Sequence, residues 1–185
     1  MKRASMGIVL GAAALLLAAC TSGPAINKRD IPSFYLNPPK SKEYIYGVGE
    51  AKLSTLSLSR TTALSRARDD VARQVQVSVK NAITDYAQQA GEGNNQQAVQ
   101  FVETISRQVA DVTLSGVRTE KIEPSSDGTV YALVSYPIAN LLDAANKEFS
   151  RNDASAFAEF KASEALKRLE SEIQTNPPKP GNALK

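Results

Sequence analysis

Residues 44–51 read YIYGVGEA, and this stretch predicts the first strand of a sheet. Bulky side chains alternate with smaller ones, as expected for a strand whose two faces differ. Two of the small residues are glycines, Gly47 and Gly49. Glycine inside a strand marks either a bulge or a place where another backbone approaches closely. The stretch therefore predicts a strand with an unusual shape or contact at its centre.

A long amphipathic helix is predicted to follow this strand. Apolar residues recur at steps of three or four and form one stripe, which consists of Leu64, Ala67, Val71, Val75, Val79, Ala82 or Ile83, and Tyr86. The opposite face carries the charges of a solvated surface, namely Arg66, Arg68, Asp69, Arg73 and Lys80. The sequence GEGNN at residues 91–95 predicts the end of the helix and a turn.

The remaining pattern predicts a second helix, a hairpin and two further helices. The second helix extends from about Gln97 to Val109, and PSSDG at residues 124–128 is a hairpin signal between the strand-like runs 112–122 and 129–138. Helical periodicity returns from Ile138 to Phe149 and again from Asp153 to Ile173, with Asp153 as the N-cap. The order β-α-α-β-β predicts an α+β domain, in which a three-stranded antiparallel sheet is packed by two helices and C-terminal helices are added.

The domain boundaries follow from composition. Residues 20–42 mix Pro, Gly, Ser and charge, which predicts a tether whose cluster Phe34-Tyr35-Leu36 packs onto the edge of the body. The body spans residues 43–150, and residues 151–175 form an amphipathic helix that either folds back on the body or pairs with a neighbouring chain. Residues 176–185 contain three prolines and are predicted to be disordered.

The amino terminus has the three parts of a secretory signal peptide, which we assign to residues 1–19. Lys2 and Arg3 provide the basic start, residues 8–19 are apolar or small, and Leu17, Ala18 and Ala19 directly precede Cys20. The apolar run is shorter than the roughly 20 residues of a membrane-spanning helix.

The tripeptide and its cysteine resemble the lipobox of bacterial lipoproteins. The resemblance implies recognition of Leu17, Ala18 and Ala19 by the signal peptidase, cleavage before Cys20, a diacylglycerol thioether on Cys20 and an N-acyl chain such as palmitate. Two or three acyl chains give stable anchoring. Aspartate after the cysteine favours inner-membrane retention in the family, so Thr21 predicts the outer membrane, with the body facing the periplasm or the cell surface. The alternative is an ordinary signal peptide with a chance cysteine.

Composition limits the chemistry of the mature chain. The formal net charge of +3 includes Lys2 and Arg3 of the signal peptide, so the mature chain is nearly neutral and no case for nucleic-acid binding follows. Histidine is absent, and Cys20 is the only cysteine. Asp69 and Asp70 are adjacent on a helix and therefore about 100° apart, so they cannot face one substrate together. The sequence predicts a protein that is not an enzyme and holds neither a metal nor a cofactor.

Two motifs are weak matches to binding functions. Gly47-Val48-Gly49 lacks the rest of a phosphate-binding loop. Residues 64–71, LSRARDDV, resemble the helix Leu-Ser-x-x-Arg-Ala-x-x-Val of peptidoglycan-binding domains, but their spacing is two residues shorter. An amphipathic helix packing on the sheet is the preferred interpretation, and peptidoglycan binding by another surface stays open.

Residues 35–140 resemble the LPP20 family of bacterial lipoproteins. The resemblance depends on the order of YIYGVGEA at residues 44–51, ALSRARDDVARQV at residues 63–75 and a closing strand VYALV at residues 130–134, all behind a lipobox. The family often has a tryptophan before the first strand, where this chain has Phe34-Tyr35. The resemblance implies a lipoprotein without known catalysis, in a group that includes flagellar assembly lipoproteins.

These observations predict a structural or assembly lipoprotein of the cell envelope. Its partners would be the membrane, other envelope proteins such as those of the flagellar apparatus, or a second copy. The tyrosines Tyr44, Tyr46, Tyr131 and Tyr136 are predicted to cluster on the sheet, either as packing or as a protein-contact surface. The alternative function is a peptidoglycan-associated or small-ligand-binding module of the periplasm.

We predict that Cys20→Ala leaves an unprocessed precursor and abolishes normal anchoring, because the thiol is the atom expected to carry the lipid. Membrane fractionation and the mass of the product measure both effects. An unlipidated product of mature size from this variant would contradict the lipobox interpretation.

Overall fold

The computed structural model describes residues 30–181. The elements in chain order are α1 (Ser33–Leu36), β1 (Tyr44–Ala51), α2 (Leu56–Gln89), α3 (Gln96–Leu114), β2 (Arg118–Pro124), β3 (Val130–Pro137), α4 (Ile138–Arg151) and α5 (Ala162–Thr175). A 3-10 turn, Asp153–Ser155, lies between α4 and α5. This order confirms the predicted α+β class and its β-α-α-β-β core.

The sheet is antiparallel, with β3 in the centre and the strand order β1-β3-β2. Tyr44 lies opposite Pro137 and Ala51 opposite Val130, so β1 pairs with β3 along its whole length. Strand β2 pairs with the other side of β3, with an irregularity at Glu120. Both β1 and β2 are therefore edge strands.

The predicted hairpin between β2 and β3 is confirmed. Gly128 has φ of 87°, a conformation that favours glycine. The Asp127 carboxylate accepts hydrogen bonds from the Thr129 N–H (2.9 Å) and the Thr129 hydroxyl (3.0 Å). Lys52, one residue after β1, forms an ion pair with Asp127 (3.1 Å). The turn and the end of β1 therefore lie at the same end of the sheet, which we call the hairpin end.

The glycines of β1 allow helix α2 to approach the strand closely. A Cβ atom at Gly49 would overlap the Ala63 carbonyl oxygen, and one at Gly47 would overlap the Ala67 carbonyl oxygen. Ala63 and Ala67 are completely buried in this contact. The close backbone approach, one of the two predicted roles of the glycines, is thus what the structure contains.

Three side chains of α2 cap the outer edge of β1, and we call Arg66, Asp70 and Gln74 the edge-capping residues. Arg66 Nη1 donates to the Glu50 carbonyl (2.7 Å), Asp70 Oδ2 accepts from the Val48 N–H (3.1 Å), and Gln74 Nε2 donates to the Tyr46 carbonyl (2.8 Å). The three residues are four positions apart on the helix and meet every second residue of the strand. Their spacing of about 6.0 Å matches the strand repeat of about 6.6 Å.

The main core lies between the inner face of the sheet and the helices. Strands β1 and β3 contribute Ile45, Val130, Ala132, Val134 and Tyr136, and helix α2 covers them with the predicted stripe from Ala67 to Tyr86. Leu64, which was predicted to point inward, is only half-buried, and Ala63 takes the inward position.

Helix α3 is longer than predicted, and β2 begins later than the predicted strand run 112–122. The buried positions Val109 and Thr113 continue the inward face of α3, and the Thr113 hydroxyl donates to the Val109 carbonyl (2.8 Å). Val112 is exposed on this helix. The helical period therefore prevails over the strand preference of these β-branched residues.

The prediction of one helix from Asp153 to Ile173 is wrong. Asp153 begins the 3-10 turn and makes no capping hydrogen bond, and α5 starts only at Ala162. The segment between them inserts Phe157 and Phe160 into an aromatic cluster beyond the sheet, where the Phe160 ring centroid lies 4.7 Å from that of Phe101. The backbone between Ser155 and Ala162 is irregular where these two rings are buried.

The C-terminal segment folds back on the body. Leu169 and Ile173 of α5 are buried in the main core, where α5 contacts α2 and α4. Within residues 176–185, which the sequence predicts to be disordered, the structure places Gly181 beside α2. The Gly181 N–H donates to Asp70 Oδ1 (2.9 Å). Within the chain, α5 therefore folds back on the body.

We predict that Gly49→Ala destabilises the fold by about 1–3 kcal/mol, because the new methyl group would overlap the backbone of α2. Urea unfolding followed by circular dichroism measures the change. Gly93→Ala is the matched control, since its Cβ would approach the Gln88 side chain, which can move, and would touch the backbone only at Gln88 Cα at a distance of 3.4 Å. We expect a change within about 0.5 kcal/mol. Equal stability of the two variants would contradict the close-approach interpretation.

Candidate functional site: the outer face and open edge of the sheet

The face of the sheet that points away from α2 is partly covered by the N-terminal segment. Phe34 and Tyr35 of α1 are buried against Val48, Tyr131 and Leu133. The ring centroids of Tyr35 and Tyr131 are 4.9 Å apart in an edge-to-face arrangement. The prediction that the cluster at residues 34–36 packs onto the body holds for Phe34 and Tyr35, whereas Leu36 is exposed.

The Tyr35 hydroxyl is buried and makes no hydrogen bond of ordinary geometry to a described residue. Burial, and then the nearby Glu50 carboxylate, raise the pKa of Tyr35 well above its usual value. Burial likewise raises the pKa of Tyr131 and of Tyr136. These phenols therefore stay neutral in the folded protein, and Tyr35 acts as packing.

The four predicted tyrosines do not form one cluster. Tyr44 and Tyr46 are neighbours on the outer face, with ring centroids 6.4 Å apart, whereas Tyr131 packs on Tyr35. Tyr136 lies on the opposite face and is buried in the main core. The register explains this result, because Tyr131 lies opposite Glu50 and Tyr136 opposite Ile45, so neither pairs with Tyr44 or Tyr46.

The rest of the outer face forms a polar patch that reaches the β2 edge. Tyr46, Ser135 and Arg118 lie side by side in one row across the three strands. The Ser135 hydroxyl donates to the Glu120 carboxylate (2.6 Å) at the irregular position of β2. Tyr44 is exposed at the end of this patch. The patch therefore combines aromatic, hydroxyl and charged groups.

Strand β2 is the open edge of the sheet. Its residues Arg118–Glu120, Lys121, Glu123 and Pro124 are exposed, and among the described elements β2 makes its principal contacts with β3 alone. The edge-capping residues cover β1, but no corresponding group in residues 30–181 caps β2. The Lys121 Nζ atom lies over the Phe34 ring, 5.8 Å from its centroid. This contact places the lysine charge next to the part of the outer face that α1 covers.

The acidic residues considered for catalysis are separated by the fold. Asp70 is buried and caps β1, while Asp69 is exposed on the adjacent side of α2. In the part of the chain that the structure describes, no three residues among His, Cys, Asp and Glu are placed to hold a metal ion. An open groove of about 500 Å³ lies beside Tyr86, Lys161 and Arg168, but the Tyr86 hydroxyl is already bonded to the Glu159 carbonyl (2.7 Å) and the Lys161 N–H (3.2 Å).

The arginine of the peptidoglycan-like motif has a structural contact. The Arg66 guanidinium donates a hydrogen bond to the Glu50 carbonyl and thereby caps the edge of β1. This contact favours the interpretation of residues 64–71 as a packing helix. The sequence pattern does not reveal the edge-capping residues, although Asp70 and Gln74 directly precede Val71 and Val75 of the apolar stripe.

The predicted lipidation site, Cys20, and the recognition residues Leu17, Ala18 and Ala19 lie outside the described residues. Among residues 30–181, no helix combines the length and the hydropathy that crossing a bilayer requires.

Comparison with protein families gives one match. A family model described as LPP20 lipoprotein matches residues 32–136, which is more than half of the chain and contains α1, both edges of the sheet and the hairpin. The match begins at the segment that covers the outer face and ends with β3. No curated protein and no solved structure matches the chain.

We predict that Tyr35→Phe raises stability at neutral pH by about 1 kcal/mol, because it removes a buried hydroxyl that has no hydrogen-bond partner among residues 30–181. Unfolded tyrosine ionises near pH 10. Since the folded-state pKa is raised, stability falls as the pH rises above about 10, and this fall should be shallower in the variant.

Urea unfolding at neutral pH and above pH 10 measures both effects, with Tyr44→Phe as the exposed control. A loss of stability of Tyr35→Phe at neutral pH would show instead that the hydroxyl makes a stabilising bond.

Proposed function

The chain belongs to the LPP20 lipoprotein family, and from this premise we propose that it is an outer-membrane lipoprotein that works by binding protein. In this proposal acyl chains on Cys20 hold it in the membrane, with Thr21 favouring the outer membrane, and the body lies on the periplasmic side. Its role is structural or in assembly within the cell envelope, and it carries out no catalysis.

The observation that supports protein binding is the open edge at β2. An edge strand presents unpaired backbone N–H and C=O groups, to which an extended segment of another protein can add as a further strand. The other edge of the same sheet is capped by Arg66, Asp70 and Gln74. The fold therefore satisfies one edge internally and leaves the other accessible.

The side chains of β2 limit which segments can bind. The strand carries positive and negative side chains within its seven residues, namely Arg118, Glu120, Lys121 and Glu123. Pro124 ends the strand. Charges and an irregularity on an edge strand reduce unspecific pairing. We expect a partner segment whose charges complement this pattern, since like charges on neighbouring strands are unfavourable.

The outer face extends the proposed contact beyond the edge. The row Arg118, Ser135 and Tyr46 continues from β2 to β1, and Tyr44 is exposed beside it. Tyrosine and arginine are enriched in protein–protein interfaces. A partner strand on β2 could thus place its own side chains over this polar patch.

Photo-crosslinking in cells tests the proposal. A photoreactive residue at Thr119, exposed on β2, should give a discrete protein adduct, whereas one at Arg68, exposed on α2, should not. Arg118→Glu combined with Lys121→Glu makes the edge acidic and should reduce the adduct at least several-fold, while Arg68→Glu should leave it unchanged.

Equal adducts at both positions, or an adduct that survives the acidic edge, would overturn binding at β2. Retention of the protein on purified sacculi without any adduct would favour a peptidoglycan-associated role instead.

A further inference from the structure

Three leucines are exposed at one end of the molecule. Leu53 lies in the loop after β1, and Leu56 and Leu58 lie in the first turn of α2, where their side chains are 47%, 61% and 51% exposed. The Thr55 hydroxyl accepts a hydrogen bond from the Leu58 N–H (3.2 Å), so this turn is a capped part of the helix. We call Leu53, Leu56 and Leu58 the leucine tip.

The leucine tip lies at the hairpin end of the sheet. The ion pair between Lys52 and Asp127 joins the residue before Leu53 to the hairpin turn. The first described residue, Asp30, is at the same end, because its carboxylate accepts a hydrogen bond from the Ser126 hydroxyl of that turn (3.2 Å). The chain leading from the amino terminus therefore joins the body beside the leucine tip.

The distance along the chain from Cys20 to this end is short. Asp30 is ten residues after Cys20, and ten extended residues span at most about 36 Å. Helix α2 runs from the leucine tip back along β1, since Ala63 meets Gly49 and Ala67 meets Gly47. Its 34 residues extend for about 51 Å, so its far end is well removed from the leucine tip.

The chemistry of the segment suits a phospholipid surface. Residues 52–60 read KLSTLSLSR, in which uncharged hydroxyl residues separate the leucines and a basic residue stands at each end. No acidic residue occurs from Lys52 to Arg68, although Lys52 itself is paired with Asp127 of the hairpin turn. Apolar side chains gain free energy in the headgroup boundary, and Lys and Arg side chains reach the lipid phosphates from there.

We propose that the leucine tip inserts into the headgroup region of the phospholipid leaflet that holds the lipid anchor. This inference rests on the proposed lipidation of Cys20. Insertion gives the body a second membrane contact, so that the hairpin end faces the bilayer and α2 leads away from it.

Tryptophan fluorescence tests the proposal, because the natural chain contains no tryptophan. Leu56→Trp in the full-length lipidated protein places a single probe in the leucine tip. Val77→Trp is the matched control, since Val77 is 56% exposed on the same helix and lies about 31 Å farther along it. Both proteins are reconstituted in vesicles of phosphatidylethanolamine and phosphatidylglycerol.

Insertion should shift the Leu56→Trp emission to shorter wavelength, and lipids brominated near the top of their acyl chains should quench it. The emission of Val77→Trp should show neither effect. If lipidated Leu56→Trp is bound to vesicles and its emission is not quenched, the proposal is overturned. If the emission shifts to shorter wavelength only in native membranes, the leucine tip contacts a protein partner instead.

The mass of the purified protein separates this outcome from a failure of the anchor. A product without acyl chains would refute lipidation, whereas an acylated product with unquenched tryptophan would refute only the insertion of the leucine tip.

Discussion

The close contact between β1 and α2 is the constraint on which the rest of the fold depends. Gly47 and Gly49 meet the backbone at Ala67 and Ala63, while the edge-capping residues bond to the same strand. Both the glycine contacts and the edge-capping hydrogen bonds repeat every four residues of α2 and every two residues of β1, because these two lengths are nearly equal. A shift of α2 by one residue would break both sets together. Because α2 also contacts α3, α5 and β3, its register on β1 fixes where those elements pack.

Much of this arrangement could be predicted from the sequence. The glycines of β1, the apolar stripe of α2 and the hairpin residues each have a local pattern, so element type and order follow from them. Asp70 and Gln74 could not be interpreted in the same way, because their partners are backbone atoms more than twenty residues away. The irregular segment with Phe157 and Phe160 was also missed, since helical spacing continued through it while tertiary packing of the two rings determined the backbone.

The two edges of the sheet differ in how their backbone groups are satisfied. Capping β1 uses a buried carboxylate, Asp70, which would be costly without its hydrogen bonds to Val48, Gln74, Arg73 and Gly181. The buried Asp70 carboxylate therefore depends on its hydrogen bond to the edge of β1. Strand β2 is protected only by its exposed charged side chains, by Pro124 and by an irregularity, which discourage indiscriminate pairing but satisfy no backbone groups. This difference makes β2, rather than β1, the edge on which another chain can be accommodated.

The proposed membrane attachment limits which chain could pair with β2. Two copies of β2 paired in antiparallel fashion would be related by a two-fold axis, which places their hairpin ends at opposite ends of the shared sheet. With the leucine tip of one copy on the leaflet, the tip of the other would be directed away from it. Both copies carry the same N-terminal connection at Asp30, beside the hairpin turn, so this arrangement does not suit two proteins anchored in one membrane. In the proposed membrane orientation an antiparallel pair of β2 strands is therefore unfavourable, and the partner that we propose for the open edge is a different envelope protein.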